Sequence, residues 1–305
     1  MRVSSGVSEK LAHLEVLFDE KVKSYCGLSD VEDCSTPARK IIAESMLYSL
    51  NAGGKRLRPM LLLEMAKAYH GNMDIAMNFA CAIEMIHTYS LIHDDLPCMD
   101  DDDLRRGKPT NHIVYGEDIA ILAGDGLLNL SSELMMDTLI ENNTSVRLPF
   151  AMREILNASG SSGMILGQVA DIKYHEAAVD VERLDFINHY KTGKLITSAL
   201  VSGAYLGDAS DDEIILLREI GKEIGLLFQI VDDVLDVVGD PGKLGKRTQI
   251  DSKNDKTTYP NLIGMERTSE TIEHIKANIL KKVEKLSIDH TFLVSLVDFL
   301  AEREY

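Results

Sequence analysis

The chain has 305 residues, 45% of them hydrophobic and 27% charged, enough to bury a sizeable core and unlike a disordered or fibrous composition. Its formal net charge is −17, with 49 Asp and Glu against 32 Lys and Arg; this excludes nucleic acid and anionic membranes as expected partners, since both need clustered cations. The four cysteines lack C-x-x-C spacing and fit a reduced cytoplasmic interior, no secretory signal core precedes Lys10, and no run approaches the roughly 18 apolar residues of a membrane span.

Helical spacing prevails from end to end. It predicts helices over 8–25, 37–51, 57–70, 73–95, 118–141, 145–158, 181–206, 268–286 and 290–303. Another runs through Leu217, Ile220, Ile224, Phe228, Val231, Leu235 and Val238, whose steps alternate between three and four. Pro97 marks a break after the 73–95 helix, and Asp240-Pro241-Gly242 stops the helix through Val238. Asn51-Ala52-Gly53-Gly54, Ser159–Gly163 and the stretch from Gly239 to Lys256 read as turns. No strand alternation, repeat or low-complexity linker emerges, so the expectation is a single all-α domain over 1–305.

Two acid-rich segments close long apolar helices: His93-Asp94-Asp95 through Asp100-Asp101-Asp102-Asp103 to Thr110, and Phe228 to Asp236. On a helix, Asp232 and Asp236 share a face with Gln229, and Gly225 extends that stripe with open space above the backbone. Acids near a helix C-terminus oppose the macrodipole unless cations compensate. Asp94 and Asp100 flank a Leu-Pro-Cys-Met insertion that lets both turn towards one cavity, whereas Asp101, Asp102 and Asp103 read as supporting the ligands from behind or as solvated. His93 reads as a hydrogen-bonded structural histidine, and Cys98 is a poor ligand for a hard cation. Hard cations such as Mg²⁺ take oxygen ligands, keep waters and complete their shell with phosphate. The pairing suggests a diphosphate held between acidic walls.

Cations for phosphate occur nearby. Arg105 and Arg106, if helical, diverge by roughly 100° and serve two different anions. In Gly53-Gly54-Lys55-Arg56-Leu57-Arg58-Pro59, Lys55 and Arg58 share a face beside a helix N-terminus, a setting that favours phosphate. His87, two turns before Asp94, adds a donor. Lys191-Thr192-Gly193-Lys194 places a glycine mid-helix at a cost of about 1 kcal/mol, which a kink aiming Lys191 and Thr192 into a cavity would explain. Asp255–Pro260 reads as a basic-hydroxyl loop able to cover a phosphate.

Gly53–Pro59, His93–Thr110, Lys191–Gly193, Phe228–Asp236 and Asp255–Pro260 resemble, in order and spacing, the trans-isoprenyl diphosphate synthases. The resemblance implies a helical bundle around a central cavity, a homodimer, and Mg²⁺ as cofactor, three ions per active site. By the family pattern, Asp94, Asp100 and Asp232 ligate Mg²⁺ on an allylic diphosphate, with Asp95 and Asp236 in support. Arg105, Lys191, Thr192, Gln229 and Lys246 or Lys256 hold that diphosphate, while Lys55, Arg58, His87 and Arg106 bind isopentenyl diphosphate. The implied reaction condenses isopentenyl diphosphate head-to-tail with dimethylallyl or geranyl diphosphate.

In this family the residues just before the first acidic segment floor the elongation pocket. Tyr89 and Ser90 occupy those positions, Tyr89 about 7.5 Å down the helix from Asp94. Tyr89 with the Pro97-Cys98 insertion resembles bacterial farnesyl diphosphate synthases; plant-type geranylgeranyl synthases share the insertion and usually carry a smaller residue at this position. Farnesyl diphosphate is the expected product and geranylgeranyl diphosphate the alternative. One departure is Gln249-Ile250 before Asp251, where relatives commonly show Gly-Ser, which bears on loop closure. Other readings explain less. An HD-type phosphohydrolase leaves the Arg-Arg and GGKR cations idle, and a terpene cyclase does not need Lys55, Arg58 and His87. Regulatory subunits of hetero-oligomeric synthases lose an acidic motif that this chain keeps, and no EF-hand spacing supports a Ca²⁺ scaffold.

Overall fold

Proline at a first helical turn, glycine after a last one and apolar stripes between them shape a chain of helices in the computed structural model. It describes residues 16–17, 20–21, 23–24, 36–174, 180–238 and 258–302. Lys246, Lys256 and Gln249-Ile250 lie outside those residues, as does most of the helix expected over 8–25. The order is α1 (Pro37–Leu50), α2 (Leu57–Ala68), α3 (Met73–Asp94), β1 (Leu104–Arg105), β2 (Lys108–Pro109), α4 (Asn111–Tyr115) and α5 (Glu117–Glu141). Then come α6 (Leu148–Ser159), α7 (Met164–Tyr174), α8 (Val181–Asn188), a π-helical turn (His189–Gly193), α9 (Lys194–Tyr205) and α10 (Asp211–Val238). The last are α11 (Tyr259–Ile263), α12 (Met265–Val283) and α13 (Thr291–Glu302). The fold is all-α, as expected.

The described residues gather into two compact units, one taking those up to Met60 and Asp74–Val146, the other Leu61–Met73 and those from Arg147 onwards. In the first unit α3 is apolar on every side, and most of it is buried, the pattern of a central helix. Polar ties fix its register against α5: Asn78 Nδ2 donates to Thr138 Oγ1 at 3.2 Å, and His93 Nε2 lies 3.0 Å from the Ile121 carbonyl. Gly124 permits the latter approach, since a Cβ there would stand 2.1 Å from His93 Nε2. α1 packs on α5 and α4, with Asn111 of α4 donating to the Ser45 carbonyl at 2.9 Å and accepting from Ser45 Oγ.

In the second unit α9 is the buried strut, packed against α6 and α10. Gly203 lets the Leu62 carbonyl come to 2.3 Å of where a Cβ would be. α12 and α13 pack on α10. The start of α10 is held by Glu213, which accepts from Ser210 and Ser287 backbone and hydroxyl groups. Burial would push that carboxyl up, but the hydrogen bonds outweigh it and pull it down to about 2.

Three expectations need correcting. A two-residue antiparallel hairpin does form, with Leu104 opposite Pro109 and Arg105 opposite Lys108; it is too short to show alternation. The helix expected over 181–206 is interrupted by the π-turn. Finally, Met73–Asp94 and Glu117–Glu141 are long and apolar enough to cross a membrane by length and composition, although neither is an unbroken apolar run. The apolar stretch of the first is 78% buried inside the protein, which accounts for its composition as core.

Candidate active site

The end of α3 and the loop after it carry the first acidic segment. Asp94 is 8% exposed and Asp95 3%. Beyond them the chain doubles back: Asp100 N donates to the Asp94 carbonyl at 2.8 Å, and Met99 and Asp101 N donate to the Leu96 carbonyl at 2.8 and 3.2 Å. The Leu-Pro-Cys-Met insertion thus brings Asp100 to Asp94 through the backbone. Asp101, with φ +54°, supplies the left-handed residue that closes the loop.

Arg105 and Arg106 lie in the hairpin and not, as the helical reading had it, on a helix. Arg106 and Gly107 form its tip with φ of +54° and +76°, the signs of a type I′ turn. The two guanidiniums consequently have different partners. Arg105 clasps Asp95, its Nε lying 2.6 and 2.8 Å from the two carboxylate oxygens and its Nη2 also contacting Oδ1. Arg106 donates to the Gly53 carbonyl and lies over Gly54, where a Cβ would be 2.5 Å from the guanidinium. The paired glycines are therefore the seat of Arg106.

Arg56, which the sequence reading passed over, is buried with φ +47°. It bonds Glu84 Oε1 at 2.6 Å and donates to the Leu50 carbonyl. α2 begins only at Leu57, so Lys55 stands exposed in the preceding loop while Arg58 sits in the first turn. The expected common helix face does not exist, although both cations remain beside that terminus. His87 completes the group. Its burial, reinforced by the charges of Arg58, Arg106, Arg105 and Arg56, holds the imidazole well below its usual pKa and favours the neutral ring. Asp95 is pushed up by burial, and Asp102 and Asp100 add to that, against the opposing pull of Arg105.

One turn back on α3, Tyr89 is 7% exposed and meets His93 edge-on with ring centroids 5.8 Å apart. Burial and the Asp94 charge push its hydroxyl up to about 12. Ser90 Oγ donates to the His87 carbonyl at 2.9 Å. His93 is bonded to α5, in agreement with its structural reading.

In the second unit the π-turn projects Lys191 and Thr192. Lys191 Nζ reaches Asp171 Oδ2 of α7 at 2.6 Å, and Thr192 Oγ1 donates to Gln229 Oε1 at 3.3 Å. Gln229 Nε2 in turn donates to Asp233 Oδ1 at 3.2 Å, and Tyr259 N donates to Asp233 Oδ2 at 3.1 Å. Two glycines admit the turn: a Cβ on Gly167 would stand 2.1 Å from Lys191 N, and one on Gly225 would stand 2.6 Å from Gly193 Cα. The space expected above Gly225 is therefore occupied by the turn itself. Asp232 and Asp236, one turn apart on α10, are both partly exposed.

Asp171 and Asp233 escaped the sequence reading. Asp171 lies twenty residues from its lysine, beyond any helical spacing, and Asp233 points off the Asp232–Asp236 face. Among the described residues no three His, Cys, Asp or Glu side chains form a ready-made metal cage. Carboxylate-only donors fit a hard cation that keeps waters and completes its shell with phosphate.

The polyprenyl synthetase family profile matches residues 39–292. The chain is 45% identical over 265 residues to a farnesyl diphosphate synthase of Bacillus subtilis, covering 87% of this chain and 89% of that one. It is 44% identical over 305 residues to a chloroplastic geranylgeranyl pyrophosphate synthase of Capsicum annuum, covering 99% and 82%. Among solved structures, the geranyltransferase of Helicobacter pylori complexed with magnesium and isoprenyl diphosphate superposes with a TM-score of 0.76 at 32% identity, covering 94% of each chain.

Proposed function

From the premise that the chain belongs to the polyprenyl synthetase family and is a prenyltransferase, we propose that it condenses isopentenyl diphosphate with dimethylallyl and then geranyl diphosphate to give farnesyl diphosphate. The observation that carries this reading is the cluster of Arg56, Arg58, Arg105 and Arg106 around a neutral His87, next to buried Asp94 and Asp95. A second anionic substrate needs such a cationic seat beside the acids.

Asp94 and Asp100 would hold Mg²⁺ on a diphosphate, as would Asp232 and Asp236. Bound there, the ions would draw negative charge from the departing diphosphate. Lys191, Thr192 and Gln229 hold and orient that leaving group, with Asp171 and Asp233 fixing their positions. Lys55, Arg58, His87 and Arg106 seat isopentenyl diphosphate, whose double bond attacks the allylic carbon; one proton then leaves with the released diphosphate. Neutral His87 donates a hydrogen bond without adding to the local repulsion. The apolar helix faces below keep water from the cationic carbon. Exposed Ile113, Val114, Ile121 and Leu122 on α4 and α5 support a homodimer as the working state.

Tyr89 supports a fifteen-carbon product because a buried ring within reach of the Asp94 charge would floor an elongation pocket there. A twenty-carbon product is the second reading, favoured by the likeness to the Capsicum annuum enzyme. The deciding experiment incubates the protein with Mg²⁺, labelled isopentenyl diphosphate and each allylic primer, then separates the products. Farnesyl diphosphate is expected. No incorporation with any primer overturns the synthase reading, and a twenty-carbon main product overturns the role given to Tyr89.

A further inference from the structure

We propose that the second unit carries a separate binding site for a small planar organic cation, in a cavity walled by α8, the π-turn, α10 and α12. The cavity measures about 590 Å³. One wall is aromatic: the Phe186 and Tyr190 rings lie 4.5 Å apart, and His189 meets Tyr190 edge-on at 4.9 Å. These residues fall at steps of three and four along α8 and the turn, so one face presents them all. The facing wall is acidic. Glu219 and Glu223 stand one turn apart on α10, and Lys282 Nζ of α12 bridges them at 2.9 and 3.2 Å.

Two residues lining this space each hold one buried side-chain atom without a hydrogen-bond partner among the described residues: Glu223 Oε2 and His189 Nδ1. A buried acceptor lacking a donor is unfavourable, and a ligand N–H would satisfy it once the Glu223 side chain turns towards the cavity. Charge fixes the sign of that ligand. Four carboxylates, Glu182, Asp185, Glu219 and Glu223, face two lysines, Lys222 and Lys282, a formal balance of −2 within a chain of −17. A diphosphate is repelled from such a cavity. A flat amidinium or aromatic ammonium instead stacks on Tyr190 and Phe186 and donates to Glu223; the Tyr190 ring already has Lys194 Nζ 5.3 Å from its centroid.

The site is distinct from the diphosphate side of the same turn. Lys191 and Thr192 bond Asp171 and Gln229, none of which lines the cavity. The shared His189–Gly193 turn nevertheless couples the two, so occupancy changes the KM for the allylic substrate.

The test titrates benzamidine into the full chain by calorimetry, with benzoate as the anion of like size. Benzamidine binds and benzoate does not; Glu223→Gln weakens binding about tenfold, the loss of one charge-assisted hydrogen bond. Phe186→Leu, which removes a ring and no charge, also weakens it, and saturating Mg²⁺ with inorganic diphosphate leaves it in place. Equal binding of both probes, no binding at all, unchanged affinity in both variants, or displacement by diphosphate overturns the site. Calorimetric binding is independent of the synthase reading. A geranyl diphosphate KM that benzamidine leaves unmoved overturns the coupling alone.

Discussion

Glu84 is buried halfway along α3, where a lone carboxylate could not stay ionised. Its partner is Arg56, itself held in the left-handed region by the loop before α2, so a backbone constraint and an ion pair fix one another. Glu84→Ala takes away the carboxylate that pairs with the buried Arg56 guanidinium, and urea unfolding should show a loss of about 3–5 kcal/mol. Tyr89→Ala opens the space beneath Asp94; chromatography of the products should show longer chains, and an unchanged length would place the floor elsewhere. His87 and His189 are both held below their ordinary pKa by burial and nearby cations, His189 at about 4. The unfolded chain therefore takes up protons near the usual histidine value, about 6.5, while the folded chain does not. Stability is complete above that value and falls as pH drops from there towards 4. Melting temperatures followed over that range should show the fall, and His189→Asn should shallow it.

The element that most resisted sequence reading is the π-turn. Periodicity over 181–206 is helical on both sides of it, and nothing local shows that hydrogen bonds skip to the fifth residue over His189–Gly193. A mid-helix glycine hinted at a kink; the cause lies in Gly167 and Gly225 on two other helices, which only the fold brings to the turn. By contrast, α3 and α10 were legible throughout, because apolar spacing over six or more turns outweighs single irregular residues. Arg56 was missed for the opposite reason: a Gly-Gly-Lys-Arg string looks solvated until Glu84, 28 residues on, is seen to face it. Gly225→Ala should force the turn away from α10 at about 1–3 kcal/mol. Steady-state kinetics should then show the KM for geranyl diphosphate rising more than that for isopentenyl diphosphate.

At the scale of the whole molecule, the acids proposed to hold the metal were readable from the sequence as a pattern, while the residues that brace the neighbouring polar groups were not. Asp94, Asp100, Asp232 and Asp236 announce themselves by spacing; Asp171, which pairs with Lys191, and Asp233, which accepts from Gln229 and Tyr259 N, have spacings that only tertiary packing explains. On the proposed reading, Mg²⁺ bound through partly exposed carboxylates and substrate phosphate would be needed for turnover rather than for folding. Chelation with EDTA should abolish turnover and leave the melting temperature unchanged. Mg²⁺ with inorganic diphosphate at 100 times its dissociation constant should add about 2.7 kcal/mol of stability.

The π-turn also sets a phase. Hydrogen bonds that skip to the fifth residue take up one residue more than an α-turn, which fixes where Lys191 and Thr192 fall around the helix. Deleting a single residue between His189 and Gly193 would make the segment α-helical and take Lys191 and Thr192 off the side that bonds Asp171 and Gln229. Insertions and deletions in this stretch are thus far less tolerable than substitutions. The chain can vary its letters here, but not its count.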